Sequence, residues 1–576
     1  MRARRAAALL FLLFFVTSTQ ALPAGQDEPI NGIELPRIGF PAFTTPGGTL
    51  KVVLLGEVGS DVQARLENEF TVVDLEAVSV EPGPDPGETT VVFRLLGGEA
   101  GLYDLVVSAG GAERREPNSV AVMEDLNPPF MVFWISDTHY DNRPGQQSQE
   151  AQFQRHLWLI NFMSPDFVLV TGDVCNNPHE AIFQGVYKEM QEFDVPVILI
   201  PGNHDHAAGR RPFVKYLAPS NVSLDVGPVH IVSLDTGPGS LSGALSPEQL
   251  SWLEQDLSAT NATVKIVALH HPPFTLENRS DANVQMLVDI LLRYNVSLVA
   301  SGHMHENYVF YEPLLMVTNP NSYGIIEQAA EKALPGYRIF WITESGELRW
   351  LGGVERPIVL DTFEVEHYQV NDGSALGFSS KIVNKSPWPL NGTLKVRLKP
   401  GEVKVDGGRL LSVRESRFGY QVAYVSVVVD PQSERLVKVW VTEDSEPPRA
   451  QIDAETMVRP TSVIVRLNCT VRDAVLGVAD VKLYISPDNA TWSEVKLLRL
   501  DEDTFLGTAK LAPESGKGYI RLEATDVEGR KSTSYFTILW AEEAERERAE
   551  VPVPTWVILA VVAGAVLAAL AIKLRR

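Results

Sequence analysis

Five short apolar runs between residues 130 and 300 each end in polar side chains of the kinds that bind metals or transfer protons. The runs have the length of buried strands and lie at residues 130–135, 167–170, 195–200, 265–269 and 297–300. Helical patterns separate the first three runs, and this alternation predicts a sheet that is parallel in part. Because the carboxyl ends of parallel strands meet at one edge of a sheet, these polar side chains are expected to lie close together.

The polar residues at these strand ends form a candidate metal-binding set. An Asp-x-His or His-x-His spacing places both side chains on the same side of an extended segment, where they can reach one ion. Each residue alone is explained at least as well as a turn, cap or surface residue, but five coincidences in one domain favour a metal centre. Carboxylate, imidazole and amide ligands suit Mn, Fe, Co, Ni or Zn. The set comprises Asp137, His139, Asp173, Asn203, His204, His270, His303 and His305.

Five motifs in chain order carry a resemblance to a known family: Asp137-Thr138-His139, Gly172-Asp173, Gly202-Asn203-His204-Asp205, His270, and Gly302-His303-Met304-His305. The chain resembles the calcineurin-like metallophosphoesterases over about residues 130–320, under half its length. The resemblance implies a four-layer α/β/β/α sandwich with two divalent metal ions. It also implies hydrolysis of a phosphate ester by attack of a metal-bridging hydroxide.

The resemblance also implies a role for each site residue. The bridging ligand would be Asp173, and His204 would contact the phosphate while Asp205 orients it. The family pattern favours His270 over its neighbour His271 as a ligand. One ion would be held by Asp137, His139, Asp173 and His305, and the other by Asp173, Asn203, His270 and His303.

One position departs from the purple acid phosphatase branch of this family. Three residues after the bridging aspartate, where that branch has a metal-binding tyrosine, this chain has Asn176. A tyrosinate–iron site is therefore not expected, and Asn176 is a candidate for a contact behind the ligands or with phosphate. The adjacent Cys175 either borders the site or is a packed thiol. The second cysteine, Cys469, lies in another predicted domain, so both are expected to be buried thiols.

β-rich sequence surrounds the central α/β domain, which is predicted at residues 129–353. Alternating short runs and Gly/Pro turns predict an N-terminal β-sandwich at 28–126 and a β-rich domain at 356–444. A last sandwich, resembling an immunoglobulin or fibronectin type III module, is predicted at 447–540. The complete fold prediction is an α/β metallophosphoesterase sandwich flanked by all-β, immunoglobulin-like domains.

The two ends of the chain predict export and anchoring. Residues 1–21 have the basic, apolar and small-polar order of a signal peptide, with an uncleaved anchor as the alternative. A charged stalk at 541–551 precedes an apolar run at 552–573, which is long enough for a transmembrane helix with a basic cytoplasmic tail. The bulk of the chain would then be extracellular at the cell membrane. An excess of glycosylation sequons agrees, at Asn221, Asn261, Asn278, Asn295, Asn384, Asn391, Asn468 and Asn489.

Charge and motifs together limit the function classes. A formal net charge of −23 at pH 7 excludes a general attraction for nucleic acid. The favoured function is a phosphoesterase acting on a small-molecule or lipid-linked phosphomonoester or phosphodiester. A nucleotidase, cyclic-nucleotide phosphodiesterase or pyrophosphatase is one alternative. Another is an envelope or adhesion protein with a structural metal domain, although such a site has no need of His204 and Asp205.

Overall fold

The computed structural model describes residues 28–143, 147–206, 212–237, 243–275, 282–323, 334–512 and 515–540. The chain divides into two compact units, Met1–Glu443 and Asp444–Arg576. The predicted signal peptide, stalk and transmembrane segment lie outside the described residues. No helix within the described ranges is both long enough and apolar enough to cross a membrane.

The N-terminal module is an eight-stranded β structure. Its strands are β1 (Ile33–Leu35), β2 (Ala42–Thr44), β3 (Thr49–Leu55), β4 (Gln63–Glu67), β5 (Val72–Pro82), β6 (Glu88–Leu95), β7 (Gly101–Ala109) and β8 (Ala112–Val122). They form one hydrogen-bonded path in the order β1-β3-β6-β5-β4-β7-β8-β2. The path curls over a single core, because β2 also contacts β3 and β1 contacts β8.

The central region alternates strands and helices, as its sequence predicts. Its elements are β9 (Phe130–Ile135), α1 (Gln147–Met163), β10 (Phe167–Thr171), α2 (Glu180–Met190), β11 (Val197–Ile200), α3 (Pro212–Tyr216), β12 (Val222–Val226), β13 (Val229–Leu234), α4 (Pro247–Ala259), β14 (Val264–Leu269), α5 (Ala282–Arg293), β15 (Leu298–Ser301), β16 (Tyr308–Phe310), β17 (Met316–Thr318), β18 (Gly336–Ile342), β19 (Leu348–Trp350) and β20 (Ile358–Val359).

These strands form two six-stranded sheets. The first has the order β11-β10-β9-β18-β19, with β20 paired to β18. Within it β9, β10 and β11 are parallel, and β18 runs antiparallel to β9. The second has the order β12-β13-β14-β15-β17-β16, with β13, β14, β15 and β17 parallel. Each sheet therefore has a parallel centre whose carboxyl ends lie at one edge.

Side-chain alternation shows how the two sheets are layered. On β14, Val267 and Leu269 belong to a core with residues of α4 and α5, such as Leu253 and Leu287. The intervening Ala268 belongs to the core of the first sheet, which also includes buried residues of α1 and α2. Because successive side chains of a strand point to opposite faces, the second sheet is covered by helices on one face and by the first sheet on the other.

A third module packs onto helix α1. Its strands are β21 (Phe363–His367), β22 (Gly377–Asn384), β23 (Leu390–Leu398), β24 (Lys404–Asp406), β25 (Arg409–Glu415), β26 (Gln421–Val429) and β27 (Ser433–Trp440). They form a four-stranded and a three-stranded sheet. Helix α1 contacts β21 and β23, and the rings of Trp158 and His367 lie 4.9 Å apart. Helix α1 is therefore packed against this module as well as against the first sheet, and is buried between them.

A charged network joins all three modules of the first unit. Lys395 and Arg397 project from β23 and each contacts both Glu69 of the N-terminal module and Asp194 of the central region. The shortest contacts, from the Lys395 ammonium to the two carboxylates, are 2.6 Å. The Glu69 side chain is only 11% exposed, so its charge depends on these partners.

Replacing Glu69 by Gln is expected to destabilise the first unit at neutral pH. Burial opposes ionisation of Glu69, but the hydrogen bond from Arg397 and the charge of Lys395 lower its pKa from 4.5 to about 2. The ionised carboxylate therefore stabilises the fold fully above about pH 4.5, and this stabilisation is lost as the pH falls towards 2. Urea unfolding should show a loss of about 2–3 kcal/mol at pH 7 that shrinks below pH 4.5.

The exposed pair of Arg414 with Glu99 supplies the control for this network. Glu99→Gln should change stability by no more than about 0.5 kcal/mol, because exposed ion pairs contribute little. Equal stabilities of the wild type and Glu69→Gln at pH 7 would contradict the expectation.

The second unit is a separate two-sheet β structure. Its strands are β28 (Arg449–Arg459), β29 (Ser462–Arg472), β30 (Val478–Ser486), β31 (Ser493–Val495), β32 (Leu497–Arg499), β33 (Thr504–Leu511), β34 (Lys517–Asp526) and β35 (Lys531–Leu539). Two four-stranded sheets, β28-β29-β33-β32 and β31-β30-β34-β35, enclose one core. Its start at Asp444 lies next to the predicted boundary at residues 445–448.

The predicted glycosylation sequons do not share one environment. Asn384 is fully buried, and its amide donates to the carbonyls of Trp388, Val429 and Asp430. This position is therefore closed to a glycan in the folded chain. By contrast, the sequon asparagines at 261, 295, 391, 468 and 489 are exposed.

Candidate metal centre

The carboxyl ends of five strands, three from the first sheet and two from the second, converge at one place. Asp137 and Asp173 follow β9 and β10, and Asn203 follows β11 in a short 3₁₀ turn. His270 and His303 follow β14 and β15. The structure thus brings together residues that are separated by up to 166 positions in the chain, as the strand pattern predicts.

The backbone at this edge is unusual. Asp137, His139, Asp173, His303 and His305 all have φ between 44° and 68°, the left-handed region that non-glycine residues rarely adopt. They are five of the eleven non-glycine residues with positive φ in the described ranges. Such strain persists where surrounding structure enforces it, and it is concentrated at functional sites.

One donor cluster consists of Asp137, His139 and His305. The Nε2 atoms of the two histidines are 3.1 Å apart, and Nε2 of His305 is 3.3 Å from Oδ1 of Asp137. The carboxylate of Asp137 is fully buried and accepts hydrogen bonds from the Ser136 hydroxyl (2.5 Å) and the backbone N–H of His303 (3.1 Å). These bonds fix the direction in which the carboxylate faces.

A second donor cluster consists of Asp173, His270 and His303, with Asn203 beside it. Nε2 of His270 lies 3.1 Å from Oδ2 of Asp173 and 3.2 Å from Oδ1 of Asn203. The same Asn203 oxygen lies 3.0 Å from Nδ1 of His303. Asp173 also groups with His139 and His204 within ligand distance, so it is common to both sides of the centre.

The protonation of these groups follows from their burial and charge. Burial lowers the pKa of His139 and of His303 to about 4, so both imidazoles are neutral and present lone pairs. Burial also opposes charging of His270, but the adjacent Asp173 outweighs it and raises that pKa to about 10. Burial acts to raise the pKa of Asp173, yet the neighbouring histidines hold it well below its usual value. A cation between these groups is therefore electrostatically favoured.

The donor chemistry fits two divalent metal ions. Imidazole nitrogens and carboxylate or amide oxygens converge at 3.0–3.3 Å from one another, as ligands of a common ion do when each bond is about 2.0–2.2 Å. Nδ1 of His270 faces the carbonyl of Thr171 at 2.8 Å, which fixes the tautomer that turns Nε2 towards the centre. The two clusters meet at Asp173, the arrangement a two-metal site requires.

Comparison with known proteins agrees with this geometry. The sequence profile described as calcineurin-like phosphoesterase matches residues 130–307. A probable glycerophosphodiester phosphodiesterase of Arcobacter nitrofigilis is 31% identical over 197 residues, which cover 31% of this chain and 72% of that protein. The chain belongs to the calcineurin-like phosphoesterase family. It is accordingly a phosphoric ester hydrolase.

Two further relatives of this phosphoesterase are described as cyclic-nucleotide enzymes. A cAMP/cGMP dual specificity phosphodiesterase of Mycobacterium tuberculosis is 29% identical over 205 residues, covering 32% of this chain and 64% of the relative. A 3',5'-cyclic-nucleotide phosphodiesterase of a Nostoc species is 25% identical over 253 residues, covering 40% of this chain and 92% of the relative. These three relatives cover 31%, 32% and 40% of this chain.

The phosphoesterase holds His204 beside the metal centre through the backbone. Nδ1 of His204 lies 2.8 Å from the carbonyl oxygen of Asn176, and its backbone N–H donates to Asp173 at 2.8 Å. The Asn176 amide donates to Asp141, which in turn binds Arg143 through two hydrogen bonds to its guanidinium. Asn176 thus supports the His204 ring with its backbone carbonyl, while its side chain is held by Asp141.

Asp205 is placed differently from the expectation that it orients His204. Its carboxylate is fully buried and accepts the backbone N–H groups of Gly202 (2.9 Å), Cys175 (3.0 Å) and Val174 (3.2 Å). Asp205 therefore ties the turn after β11 to the segment after β10. Since both of its oxygens accept hydrogen bonds from backbone amides, Asp205 positions the turn. The atom that contacts Nδ1 of His204 is the carbonyl oxygen of Asn176.

The structure separates His270 from His271. His270 faces Asp173 and Asn203, whereas Nδ1 of His271 pairs with the Thr236 hydroxyl at 3.0 Å. The His271 ring lies 4.2 Å from that of His303, so it packs behind the centre. Cys175 is buried and its pKa is raised well above the usual value by burial, so it is a packed thiol, as is the buried Cys469.

The motif analysis missed Tyr323. Its ring makes edge contacts with the rings of His139 and His305, at 4.9 Å and 5.6 Å. Tyr323 lies beyond the last recognised motif, and no spacing rule links it to the two histidines. Its proximity results from the position of residues 319–323 after β17, where the backbone N–H of Ser322 donates to the carbonyl of Ser136.

Gly302→Ala is expected to disrupt the metal centre. A Cβ at this position would lie 2.0 Å from the Ser136 hydroxyl and 2.5 Å from Oδ2 of Asp137. Because both groups are buried, the Asp137 carboxylate must move, and metal affinity should fall about 10–100-fold. Metal content after dialysis, measured by mass spectrometry, tests this expectation.

Gly59→Ala is the matched control for Gly302→Ala. The added Cβ would meet only the carboxylate of Asp61, an exposed side chain that can move away. This variant should retain the metal content of the wild type. Full metal content in a folded Gly302→Ala variant would show that the close approach does not position Asp137.

Proposed function

We propose that this phosphoesterase is a metal-dependent phosphodiesterase for small-molecule or lipid-linked diesters. The observation that carries the proposal is the pair of donor clusters, which are linked by a third group formed by His139, Asp173 and His204. The relatives are named as glycerophosphodiester and cyclic-nucleotide phosphodiesterases, which supports a phosphodiester as the substrate. The acidic net charge argues against a nucleic acid substrate.

The proposed ligand sets follow the two clusters. One ion would be held by Asp137, His139, Asp173 and His305, and the other by Asp173, Asn203, His270 and His303. When bound, two such ions supply charge neutralisation for the phosphate and a water of lowered pKa. Carboxylate, amide and imidazole donors suit Mn, Fe, Co, Ni or Zn.

The protein residues themselves supply orientation and proton transfer. A carbonyl oxygen only accepts hydrogen bonds, so the contact with Asn176 places a proton on Nδ1 of His204. This leaves Nε2 as the ring atom available to the substrate. When the ring is doubly protonated, Nε2 can donate a hydrogen bond to a phosphate oxygen or a proton to the leaving-group oxygen. Asp205 holds the turn that carries His204 and Asn203, and Asp137 is aligned by Ser136.

We also propose that the catalytic region faces outward from a single-pass membrane anchor. The support lies in the sequence, where an apolar run of membrane-spanning length is followed by Lys573, Arg575 and Arg576. Protease added to intact cells should remove the phosphoesterase region from an anchored remnant. Complete protection, with disruption of the cells needed for digestion, would contradict the proposal.

Hydrolysis of model substrates tests the proposed function. With Mn²⁺ the protein is expected to hydrolyse bis-p-nitrophenyl phosphate with a higher kcat/KM than p-nitrophenyl phosphate. A chelator should remove both activities, and readdition of Mn²⁺ should restore them. A strong preference for the monoester would favour a phosphatase, and no turnover of either ester with both metals bound would favour a structural metal domain. Glycerophosphodiesters and cyclic nucleotides should then be compared as natural diesters.

A further inference from the structure

Three buried aspartates come together in the second compact unit. Asp444 is the first residue of this unit, Asp473 directly follows β29, and Asp526 ends β34. One carboxylate oxygen from each lies within 4.8 Å of the other two. The three residues are 8%, 6% and 1% exposed. Bringing three carboxylates together away from water is costly unless their charge is compensated.

Two of the aspartates are positioned by backbone amides. Oδ1 of Asp473 accepts three consecutive backbone N–H groups, from residues 475–477, at 2.9–3.0 Å. Oδ1 of Asp526 accepts the backbone N–H of Arg530 at 2.7 Å. In each case one oxygen is fixed by the backbone, and this fixes where the second oxygen of the same carboxylate lies.

Asp444 provides an independent indication of a ligand. Its side chain is 1% exposed, and neither carboxylate oxygen has a hydrogen-bond partner of normal geometry among the described residues, although the backbone of Glu446 interacts with it. The Arg530 guanidinium is 3.3 Å from Oδ2 of Asp444 and 3.4 Å from Oδ2 of Asp526, while Oδ1 of Asp444 has no such contact. A buried carboxylate oxygen without a donor loses its hydration with no compensating interaction, which is unfavourable.

The carboxylates of this cluster outnumber the guanidinium that contacts them. Three buried carboxylates lie within ligand distance of one another, and the Arg530 guanidinium contacts two of them and is itself 35% exposed. A divalent cation would add positive charge at the point where the three carboxylates converge.

We propose that Asp444, Asp473 and Asp526 bind a calcium ion that stabilises the second unit. The donors are all carboxylate oxygens, which favour hard cations, whereas the phosphoesterase centre is rich in imidazole and favours transition metals. Their three segments are far apart in sequence, so an ion would cross-link the start of the unit to the ends of β29 and β34. This site is independent of the proposed catalytic function.

Calcium binding to the full chain tests the proposal. With the phosphoesterase centre saturated with Mn²⁺, titration calorimetry is expected to show about one Ca²⁺ per chain with a Kd below about 1 mM. Calcium should also raise the midpoint temperature of one unfolding transition by about 4 °C or more relative to chelator. No binding and no shift in the wild type would overturn the proposal without any variant.

Variants assign the bound calcium to one of the two sites. Asp444→Asn and Asp526→Asn each remove one charge at nearly constant volume and should abolish calcium binding. Asp173→Asn, in the phosphoesterase centre, should retain it, as should the exposed control Asp480→Asn. Loss of calcium binding in Asp173→Asn, with retention in Asp444→Asn, would place the ion in the phosphoesterase centre and refute the assignment.

Discussion

Asp173→Asn is expected to abolish diester hydrolysis and the binding of both metals together. Asp173 is the carboxylate common to both sides of the centre, and its Oδ2 lies 3.1 Å from His270. An amide of the same shape can retain the hydrogen bond from the His204 N–H, but it carries no charge and cannot bridge two cations. We expect kcat/KM to fall by at least about 10³-fold, equivalent to about 4 kcal/mol of transition-state stabilisation.

Metal content measured beside activity separates the possible causes. Asp173→Asn should contain less than one metal ion per chain after dialysis, while Glu99→Asn, an exposed carboxylate of the N-terminal module, should contain the wild-type amount. Far-UV circular dichroism should be unchanged, because the sheets surrounding Asp173 remain apolar and packed. Two tightly bound metals in Asp173→Asn would contradict the bridging role.

His204→Ala is expected to lower kcat while leaving metal content unchanged. The ring is held by the Asn176 carbonyl and lies edge-on to His139 at 4.7 Å. It is therefore near the donor clusters, although it is outside the proposed ligand sets. Loss of a positioned proton donor or phosphate contact typically costs about 10²–10⁴-fold. The effect should be smaller for a diester with a good leaving group, which needs little protonation.

His179 supplies a control for the histidine substitution. It is exposed at the N-terminus of α2, where its side chain makes no capping hydrogen bond. His179→Ala should therefore have the kcat and metal content of the wild type. If His204→Ala retained the full kcat for a diester substrate with a poor leaving group, His204 would have no part in the chemistry.

Much of the candidate site is predictable from strand ends. The apolar run 130–135 and the structural strand β9 coincide, and Asp137 follows it as expected. The start of α4 is local in the same way: in the sequence Ser-Pro-Glu-Gln, Ser246 and Gln249 exchange both hydrogen bonds of a capping box. These features are local, because they depend on hydrophobic periodicity and on hydrogen bonds a few residues apart.

Longer-range features were not predictable in the same way. The His270–His271 doublet has no local property that says which ring faces Asp173, because that depends on the twist of β14 within the second sheet. Likewise the contact of His204 with Asn176, rather than Asp205, depends on how the turns after β10 and β11 pack. The curled single sheet of the N-terminal module depends on pairing between strands distant in sequence.

The turn Pro201–Asp205 shows the division most directly. Its sequence alone determined that a strand ends there and that metal-type and proton-transferring side chains follow, because strand periodicity and turn chemistry are local. Only the tertiary structure decided that Asn203 faces His270 and His303 of the second sheet. It also decided that the Asp205 carboxylate accepts hydrogen bonds from backbone amides. The same holds for the three aspartates of the second unit, which have no motif in common. Their proximity arises from packing two sheets over one core, and such packing is not encoded in any short stretch of the chain.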